Sequence, residues 1–378
     1  MKIAVVRETA EAEARVALTP DQVGDLVGLG YTVSVEPGAG AAAHIGDDDF
    51  TGAGADVEDG DLTEADLVLS VQPLRVDQIR GLTADTATIS FLPAAQSLDV
   101  VADLRDCRIT AFALELVPRI SRAQTMDALS SQALVAGYRC AIVAAGLLRR
   151  FFPLNMTAAG TVPPAEVVVL GAGVAGLQAI ATARRLGAVV KAYDVRAAAA
   201  EEIRSMGAQA IELDLETLEG AGGYAREMTE HRAERQRELL TSHIAKADAL
   251  ITTAAVPGRQ APLLVTTEMV RQMPAGSVVV DLAAESGGNV EGSQPGKVIG
   301  VGGAQVWGGQ NVPSQMPGPA SRLLAQNIVN LIKLMTTDDG FAPDFEDEIV
   351  AGSCVTHAGE VRHEPTRDLL EQTEGERG

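Results

Sequence analysis

The strongest constraint on this chain is six residues long. Gly171-Ala172-Gly173-Val174-Ala175-Gly176 follows the strand candidate Glu166–Leu170 and precedes the helical pattern Leu177–Leu186. A strand that turns into a helix through G-x-G-x-x-G meets three local demands. Gly171 permits the tight turn, Gly173 lets a pyrophosphate approach the backbone, and Gly176 lets helix and strand touch. The helix N-terminus then offers free N–H groups and the positive end of its dipole to phosphate. About twenty residues on, the next strand ends at Lys191-Ala192-Tyr193-Asp194. A carboxylate there suits ribose hydroxyls and repels a 2′-phosphate, which favours NAD over NADP. Arg196, two residues later, could neutralise a phosphate, but a solvated arginine at a helix start is the favoured reading.

Short β-branched runs alternate with helical patterns on both sides of this motif. Before it come Lys2–Val6, Tyr31–Val35, Leu67–Val71, Thr86–Phe91 and Arg108–Phe112. After the motif's own strand come Val189–Tyr193, Gln209–Glu212, Asp248–Thr252, Ser277–Asp281 and Val298–Gly300. Such alternation implies parallel, helix-covered sheets. The spacing predicts an α/β fold of two Rossmann-like parallel-sheet domains joined by long helices. Residues 1–127 with 320–378 form a discontinuous N-terminal domain, 128–152 a connecting helix, and 160–319 the nucleotide-binding domain. Thr19-Pro20-Asp21-Gln22 opens a helix as a capping box, and Gly28 and Gly30 close it. Met156–Pro164 reads as a linker and Gly302–Pro319 as a Gly/Pro-rich connection. The helix Ser321–Met335 is expected to return to the first domain, and the tail from Thr336 to be polar and partly ordered at best.

Composition removes several function classes. The chain has 378 residues, 46% of them hydrophobic and 21% charged, enough to bury real cores. Its net charge of -21 argues against a nucleic-acid partner, which needs clustered Lys and Arg. No signal peptide is visible in MKIAVVRE, and Arg139, Arg149 and Arg150 interrupt the most apolar stretch, so a cytoplasmic chain without direct membrane insertion is expected. Cys107, Cys140 and Cys354 lie far apart, and no metal spacing is seen. His44, His231, His243, His357 and His363 are scattered, none beside an obvious nucleophile. Oxidising an alcohol or amine needs a general base, whereas hydride exchange between two nicotinamides needs only positioning and a dry site. Two loops carry further chemistry. Pro118–Gln132 concentrates guanidinium, carboxamide, carboxylate and hydroxyl groups before the long helix. Gly220-Ala221-Gly222-Gly223-Tyr224 resembles a hinged flap.

Taken together, Arg7–Pro20, Pro118–Gln132, Val168–Arg196, Gly222–Met228, Ile251–Pro262 and Val279–Glu291 resemble the NAD(H)-binding alpha subunit of proton-translocating NAD(P) transhydrogenase. The resemblance reaches nearly the whole chain, to about Met335. It implies that Arg119, Gln124, Asp127 and Ser130 serve the nicotinamide, with Arg119 paired to Asp127, Gln124 reaching the ribose and Ser130 the carboxamide. It also implies that Gly171, Gly173, Val174, Ala175, Gly176, Asp194, Val195, Arg196, Ala254 and Ala255 hold NAD(H), with Tyr224 and Met228 on a mobile loop. The implied partners are a second copy in a homodimer, a beta subunit carrying NADP(H), and a membrane-spanning subunit that couples hydride transfer to proton translocation. This chain would then sit at the membrane periphery.

Alanine dehydrogenase shares the Arg7–Pro20 block. Its catalytic lysine and histidine regions correspond here to Leu69-Ser70-Val71-Gln72-Pro73 and Ser90-Phe91-Leu92-Pro93-Ala94-Ala95-Gln96, which hold neither residue. The transhydrogenase pattern is also imperfect. A lysine common near Ser70 is missing, and Asn311-Val312-Pro313-Ser314-Gln315-Met316 departs from the family's Asp-Leu-Pro-Ser-Arg-Met.

Overall fold

The computed structural model describes residues 1–59, 62–215, 230–256, 258–338 and 340–377. Two compact units account for them. One comprises Met1–Gln132 with Ser314–Gly378, the other Ala133–Pro313.

The first unit begins β1 (Lys2–Val5), α1 (Pro20–Gly28), β2 (Thr32–Val35), α2 (Asp47–Gly52) and β3 (Asp56–Val57). It continues β4 (Leu67–Leu69), α3 (Val76–Gly81), β5 (Ala87–Ser90), α4 (Leu98–Asp106) and β6 (Thr110–Ala113). These strands lie parallel in the order β3-β2-β1-β4-β5-β6. Ile3 and Val5 face one core while Ala4 and Val6 face the other. A sheet buried on both faces requires near-continuous apolar strands. The capping box at α1 is not formed as expected. Thr19 is the N-cap and Pro20 opens the helix, but the Thr19 hydroxyl donates to the Gln22 side chain instead of capping a backbone N–H.

Helix α5 (Ala128–Leu147) starts in the first unit and continues in the second. By length and composition it could cross a membrane. Ala136, Cys140, Ala141, Val143 and Ala144 on it are buried in the second unit's core. It ends five residues earlier than the sequence pattern suggests. The residue before Pro153 is biased away from helix, and Arg149 and Arg150 are exposed. The expected linker is a small hairpin, β7 (Asn155–Thr157) against β8 (Gly160–Val162).

The second unit continues β9 (Glu166–Leu170), α6 (Val174–Arg185), β10 (Val189–Tyr193), α7 (Ala199–Ser205) and β11 (Gln209–Ala210). Then come α8 (Glu230–Ile244), β12 (Ala249–Thr252), α9 (Thr267–Arg271), β13 (Val278–Asp281), β14 (Val298–Val301) and β15 (Ala304–Gly308). Its parallel strands run β11-β10-β9-β12-β13-β15, the same order as in the first unit, with β14 antiparallel at the edge. Strand β15 lies inside the stretch read as a Gly/Pro-rich connection. Gly308 belongs to the pairing there, since a Cβ on it would sit 2.1 Å from the Gln294 carbonyl.

The C-terminal region corrects the sequence reading most. Helix α10 (Pro317–Leu334) is followed by the hairpin β16 (Thr336–Thr337) and β17 (Gly340–Phe341). Then come α11 (Glu348–Ser353), β18 (Cys354–His357), β19 (Glu360–Val361) and α12 (Glu364–Arg377). Strand β18 adds antiparallel to β6, extending the first sheet. Ile349, Val350, Cys354, Val355, Val361 and Leu370 are buried. The polar composition around them conceals a few well-spaced apolar anchors, which suffice to dock short elements on a preformed sheet edge.

Helix α5 crosses α6 closely. A Cβ on Gly137 would lie 2.0 Å from the Ala175 carbonyl oxygen. Alanine ordinarily stabilises a helix interior over glycine by about 1 kcal/mol. Gly137→Ala should nevertheless lower stability by roughly 1–3 kcal/mol through overpacking. Thermal unfolding checks this; an unchanged or raised Tm would contradict the close approach.

Candidate functional site

In the second unit the strand order reverses between β9 and β12, so the loops leaving their carboxyl ends diverge and leave a crevice there. One wall is the turn Gly171–Gly176. Gly171 has φ +97°, a left-handed conformation that glycine adopts without strain. A Cβ on Gly176 would fall 1.9 Å from the Gly171 carbonyl oxygen, so α6 can start here only without a side chain. A Cβ on Gly173 would meet nothing within 4 Å. The three glycines thus differ in kind: a backbone conformation, an open approach, and a contact. Open space above Gly173 at the start of a twelve-residue helix fits a dinucleotide pyrophosphate. Val174 is exposed and Ala175 buried.

Asp194 follows β10. Its Oδ2 accepts the Ala172 N–H at 2.7 Å, which ties the strand end to the glycine turn. Its Oδ1 accepts the Arg196 N–H at 2.9 Å and Nε at 3.0 Å. Arg196 Nη2 also donates to the Ala172 carbonyl at 3.1 Å. The reading of Arg196 as solvated is therefore corrected: its side chain is 20% exposed and paired with Asp194. Burial disfavours the Arg196 charge, but the Asp194 hydrogen bonds and charge outweigh it and raise the pKa. Val195 leans on the neighbouring core.

The opposite wall follows β12. The Thr253 hydroxyl faces the glycine turn, donating to the Gly171 carbonyl at 3.2 Å. Ala254 is held through its N–H and carbonyl by Asn289, and Ala255 is exposed. Behind them, Asp281 is fully buried at the end of β13. Thr253, Asp281 and Asn289 were not singled out by sequence reasoning. A strand-end aspartate and a loop asparagine carry no local signal of what they touch. Tyr224 and Met228, with the glycine-rich flap, lie outside the described residues.

In the first unit, Arg119, Gln124, Asp127 and Ser130 fall on one continuous segment that leads into α5. Arg119 and Gln124 are exposed, while Asp127 and Ser130 are half-buried. Asp127 caps α5: its Oδ1 accepts the Ser130 N–H at 2.9 Å and its Oδ2 the Ser130 hydroxyl at 2.6 Å. Two asparagines of α10 fix the segment, Asn327 and Asn330 each donating to the Thr125 carbonyl at 2.9 Å. Arg122 is anchored to Asp347 at 2.6 Å.

A buried polar hub secures the start of α5. The Arg15 guanidinium grips Glu13 through Nε at 2.8 Å and Nη2 at 2.6 Å, and donates to Gln132 at 3.0 Å. Glu13 also accepts from Gln72 at 2.8 Å and Ser314 at 3.0 Å. Gln132 in turn donates to the Ala320 carbonyl of α10 at 3.0 Å. Removing one member of such a buried pair typically costs about 3–5 kcal/mol. Glu8 accepts the Val71 and Gln72 N–H groups, yet burial pushes its carboxyl up to about 7.

Two histidines have settled neighbours. His357 Nδ1 lies 3.0 Å from the Thr110 hydroxyl, and His363 Nδ1 lies 2.7 Å from that of Thr366. Burial lowers the pKa of both, and of His243.

A parallel sheet with a glycine turn at its switch point and a carboxylate after the second strand defines the second unit as a dinucleotide-binding fold of the Rossmann type. Residues 4–136 match the alanine dehydrogenase/PNT N-terminal domain, and residues 140–364 its C-terminal domain. An NAD(P) transhydrogenase subunit alpha from Rhodospirillum rubrum is 47% identical over 376 residues, covering 96% of this chain and 98% of that protein. The solved transhydrogenase from Sinorhizobium meliloti superposes with a TM-score of 0.85 at 42% identity, over 96% of this chain and 98% of that one. Alanine dehydrogenase 1 from Staphylococcus aureus strain N315 is 28% identical over 380 residues, covering 96% of this chain and 95% of that protein. The chain belongs to the alanine dehydrogenase/PNT family, and within it to the NAD(P) transhydrogenase alpha subunits.

Glu115, beyond β6, accepts the Leu92 N–H at 2.8 Å, and burial pushes its carboxyl up to about 7. The native protein then holds a proton that the unfolded chain releases near pH 4.5. Its stabilising contribution is complete below that point and is lost as pH rises through about 7. Glu115→Gln should therefore gain roughly 1–3 kcal/mol on the wild type between pH 5 and pH 8. Urea unfolding across that range measures it; parallel stability profiles would refute the shift.

Proposed function

We propose that this chain is the NAD(H)-binding catalytic subunit of an NAD(P) transhydrogenase and passes hydride between its NAD(H) and NADP(H) on a beta subunit. The observation that carries this reading is the glycine turn with Asp194 in a chain that aligns nearly end to end with transhydrogenase alpha subunits. The nicotinamide supplies the hydride, both electrons travelling with it, so no proton acceptor on this chain is required. The chain's own work is to bind, orient and exclude water.

Gly171, Gly173, Val174, Ala175 and Gly176 form the pyrophosphate cradle. Asp194, pre-oriented by the Ala172 N–H, accepts the adenosine ribose hydroxyls, with Val195 and Arg196 beside it. Ala254 and Ala255 line the wall after β12. Gln124 and Ser130 orient the nicotinamide ribose and carboxamide, and Asp127 holds the Ser130 hydroxyl so that its lone pairs face the ligand. Arg119 pairs with Asp127 once nucleotide is bound, and Tyr224 and Met228 close over it. A membrane-spanning subunit couples the transfer to proton translocation and keeps this chain at the cytoplasmic membrane surface.

We further propose a homodimer. The hairpin region exposes Phe151, Leu154, Met156 and Val162 at 56%, 52%, 73% and 40%, an apolar face of the kind that a second copy covers. Leu154→Asp with Met156→Asp should convert the protein to a monomer in sedimentation equilibrium; a dimer of unchanged affinity would place the interface elsewhere.

The decisive experiment combines this chain with the NADP(H)-binding and membrane subunits and follows hydride exchange between NADH and an NADP⁺ analogue. No exchange, or ammonia-dependent NADH oxidation with pyruvate by the isolated chain, would overturn the proposal. Asp194→Ala should weaken NADH binding by roughly 10- to 100-fold through loss of charged hydrogen bonds. It should also improve NADPH binding, because Arg196 loses its partner. Calorimetric titration with both nucleotides reports the outcome, and unchanged affinities would locate the ribose carboxylate elsewhere.

A further inference from the structure

Asp281 is an unusual end for a buried strand. It is fully enclosed, and five donors converge on it. Oδ1 accepts the Thr252 hydroxyl at 3.1 Å, the Ala283 N–H at 3.1 Å and the Asn289 N–H at 3.2 Å. Oδ2 accepts the Val290 N–H at 3.2 Å and the Ser293 hydroxyl at 2.6 Å. The loop Leu282–Ser293 is thereby wrapped around one carboxylate. Gly288 is necessary for the wrapping, since a Cβ on it would lie 2.9 Å from Asp281 Oδ2 and 2.8 Å from the Ser293 hydroxyl.

The fixed loop presents Asn289, which is itself fully buried. Its side chain makes three bonds, all to the segment that leaves β12. Oδ1 accepts the Ala254 N–H at 3.0 Å, and Nδ2 donates to the Ala254 carbonyl and the Pro262 carbonyl, each at 2.8 Å. One carboxamide therefore staples both ends of the loop 254–262. The residue just before, Thr253, bridges from the same segment to the Leu170 and Gly171 carbonyls at 3.4 and 3.2 Å. A Cβ at Gly171 or Gly176 would strike that hydroxyl at 2.7 or 2.9 Å. The contacts form a continuous strut, Asp281 to Asn289 to Ala254 to Thr253 to the glycine turn. It spans the base of the crevice from one wall to the other.

We propose that Asn289, held by Asp281, is a positioning residue for NAD(H): through Ala254 and Thr253 it fixes the separation between the β12 wall and the phosphate-binding turn before the nucleotide arrives. The inference rests on the NAD(H) reading above and deepens it. Preorganised walls spare the ligand the cost of ordering them, so a loosened strut shows up as lost affinity. Simple contribution to fold stability predicts something different. In that case every bond to Asp281 is interchangeable, and affinity in the folded protein is untouched.

The test compares Asn289→Ala with Ser293→Ala. Each removes a side chain attached to the Asp281 loop, but the Ser293 hydroxyl bonds to Asp281 rather than to the β12 segment. NADH affinity is measured by calorimetry well below each variant's Tm. Asn289→Ala is expected to raise the NADH Kd by about tenfold or more, while Ser293→Ala lowers Tm and leaves Kd within roughly twofold of wild type. If Asn289→Ala does not fold, Thr253→Val replaces it: the substitution keeps the shape and breaks the strut at its other end, and it should also raise Kd. Wild type that fails to bind NADH overturns the NAD(H) reading itself. Wild type that binds, with Asn289→Ala or Thr253→Val unchanged in Kd or equal to Ser293→Ala, overturns the strut alone.

Discussion

The start of α6 against β9 is the contact on which the rest of the second unit depends. Helix and strand come so close at Gly176 that a Cβ there would lie 1.9 Å from the Gly171 carbonyl. The same helix is crossed by α5 at Gly137, again with room for hydrogen only. With two sides of α6 pressed to van der Waals contact, its N-terminus cannot drift, and its free N–H groups point in one direction. An anion site made from backbone groups is only as good as that immobility. The small residues Ala175, Ala179 and Ala183 on its buried face serve the same end. Bulk would hold the helix off the sheet and move the glycine turn.

Both units use one strand order, yet they offer different things at the switch point. In the second unit the first strand leaves through glycines and the backbone is bare. In the first unit β1 leaves through Val6, Arg7 and Glu8, all of which carry side chains. Glu8 accepts the N–H groups beyond β4, and Glu13 and Arg15 close the space with a buried ion pair. The first unit thus places a buried polar hub where the second has a glycine turn. That hub holds Gln132, so the segment from Arg119 to Ser130 is fixed just beyond its C-terminal end by Arg15 and at its middle, the Thr125 carbonyl, by the α10 asparagines.

Charge is handled differently around Asp194. The carboxylate is already engaged by the Ala172 N–H and by Arg196, so the acidic residue arrives oriented and its negative charge is partly answered. Arg196 is thereby kept from acting as a free cation toward a 2′-phosphate. The two residues therefore act as a pair, and sequence inspection that weighs them separately misjudges the arginine.

Legible in the chain alone is whatever depends on neighbours along it. The boundaries of β9 and β10 coincide with those read from the sequence, because their buried positions are almost all apolar and the two charged residues, Glu166 and Lys191, pair with each other at 2.6 Å. The glycine turn is legible because its demands are local: a positive φ, a bare approach, and a helix starting three residues on. Three-dimensional packing set the remainder, for the opposite reason. Strand β14 was legible as Val298–Gly300, but β15, β18 and β19 sit at sheet edges or next to them, where more of the surface is polar and the apolar pattern is short. Elements after Thr336 acquire order from β6 and from the α4 side of the first sheet, where Val361 and Leu370 join the core of Val101 and Leu104, and nothing in their own composition announces it. Asp281 and Asn289 are eight residues apart but act on Ala254, and Arg15 meets Gln132 and Glu13 meets Ser314 across 117 and 301 residues. A polar side chain's partner is set by where the backbone brings it, and a one-dimensional pattern holds no record of that distance.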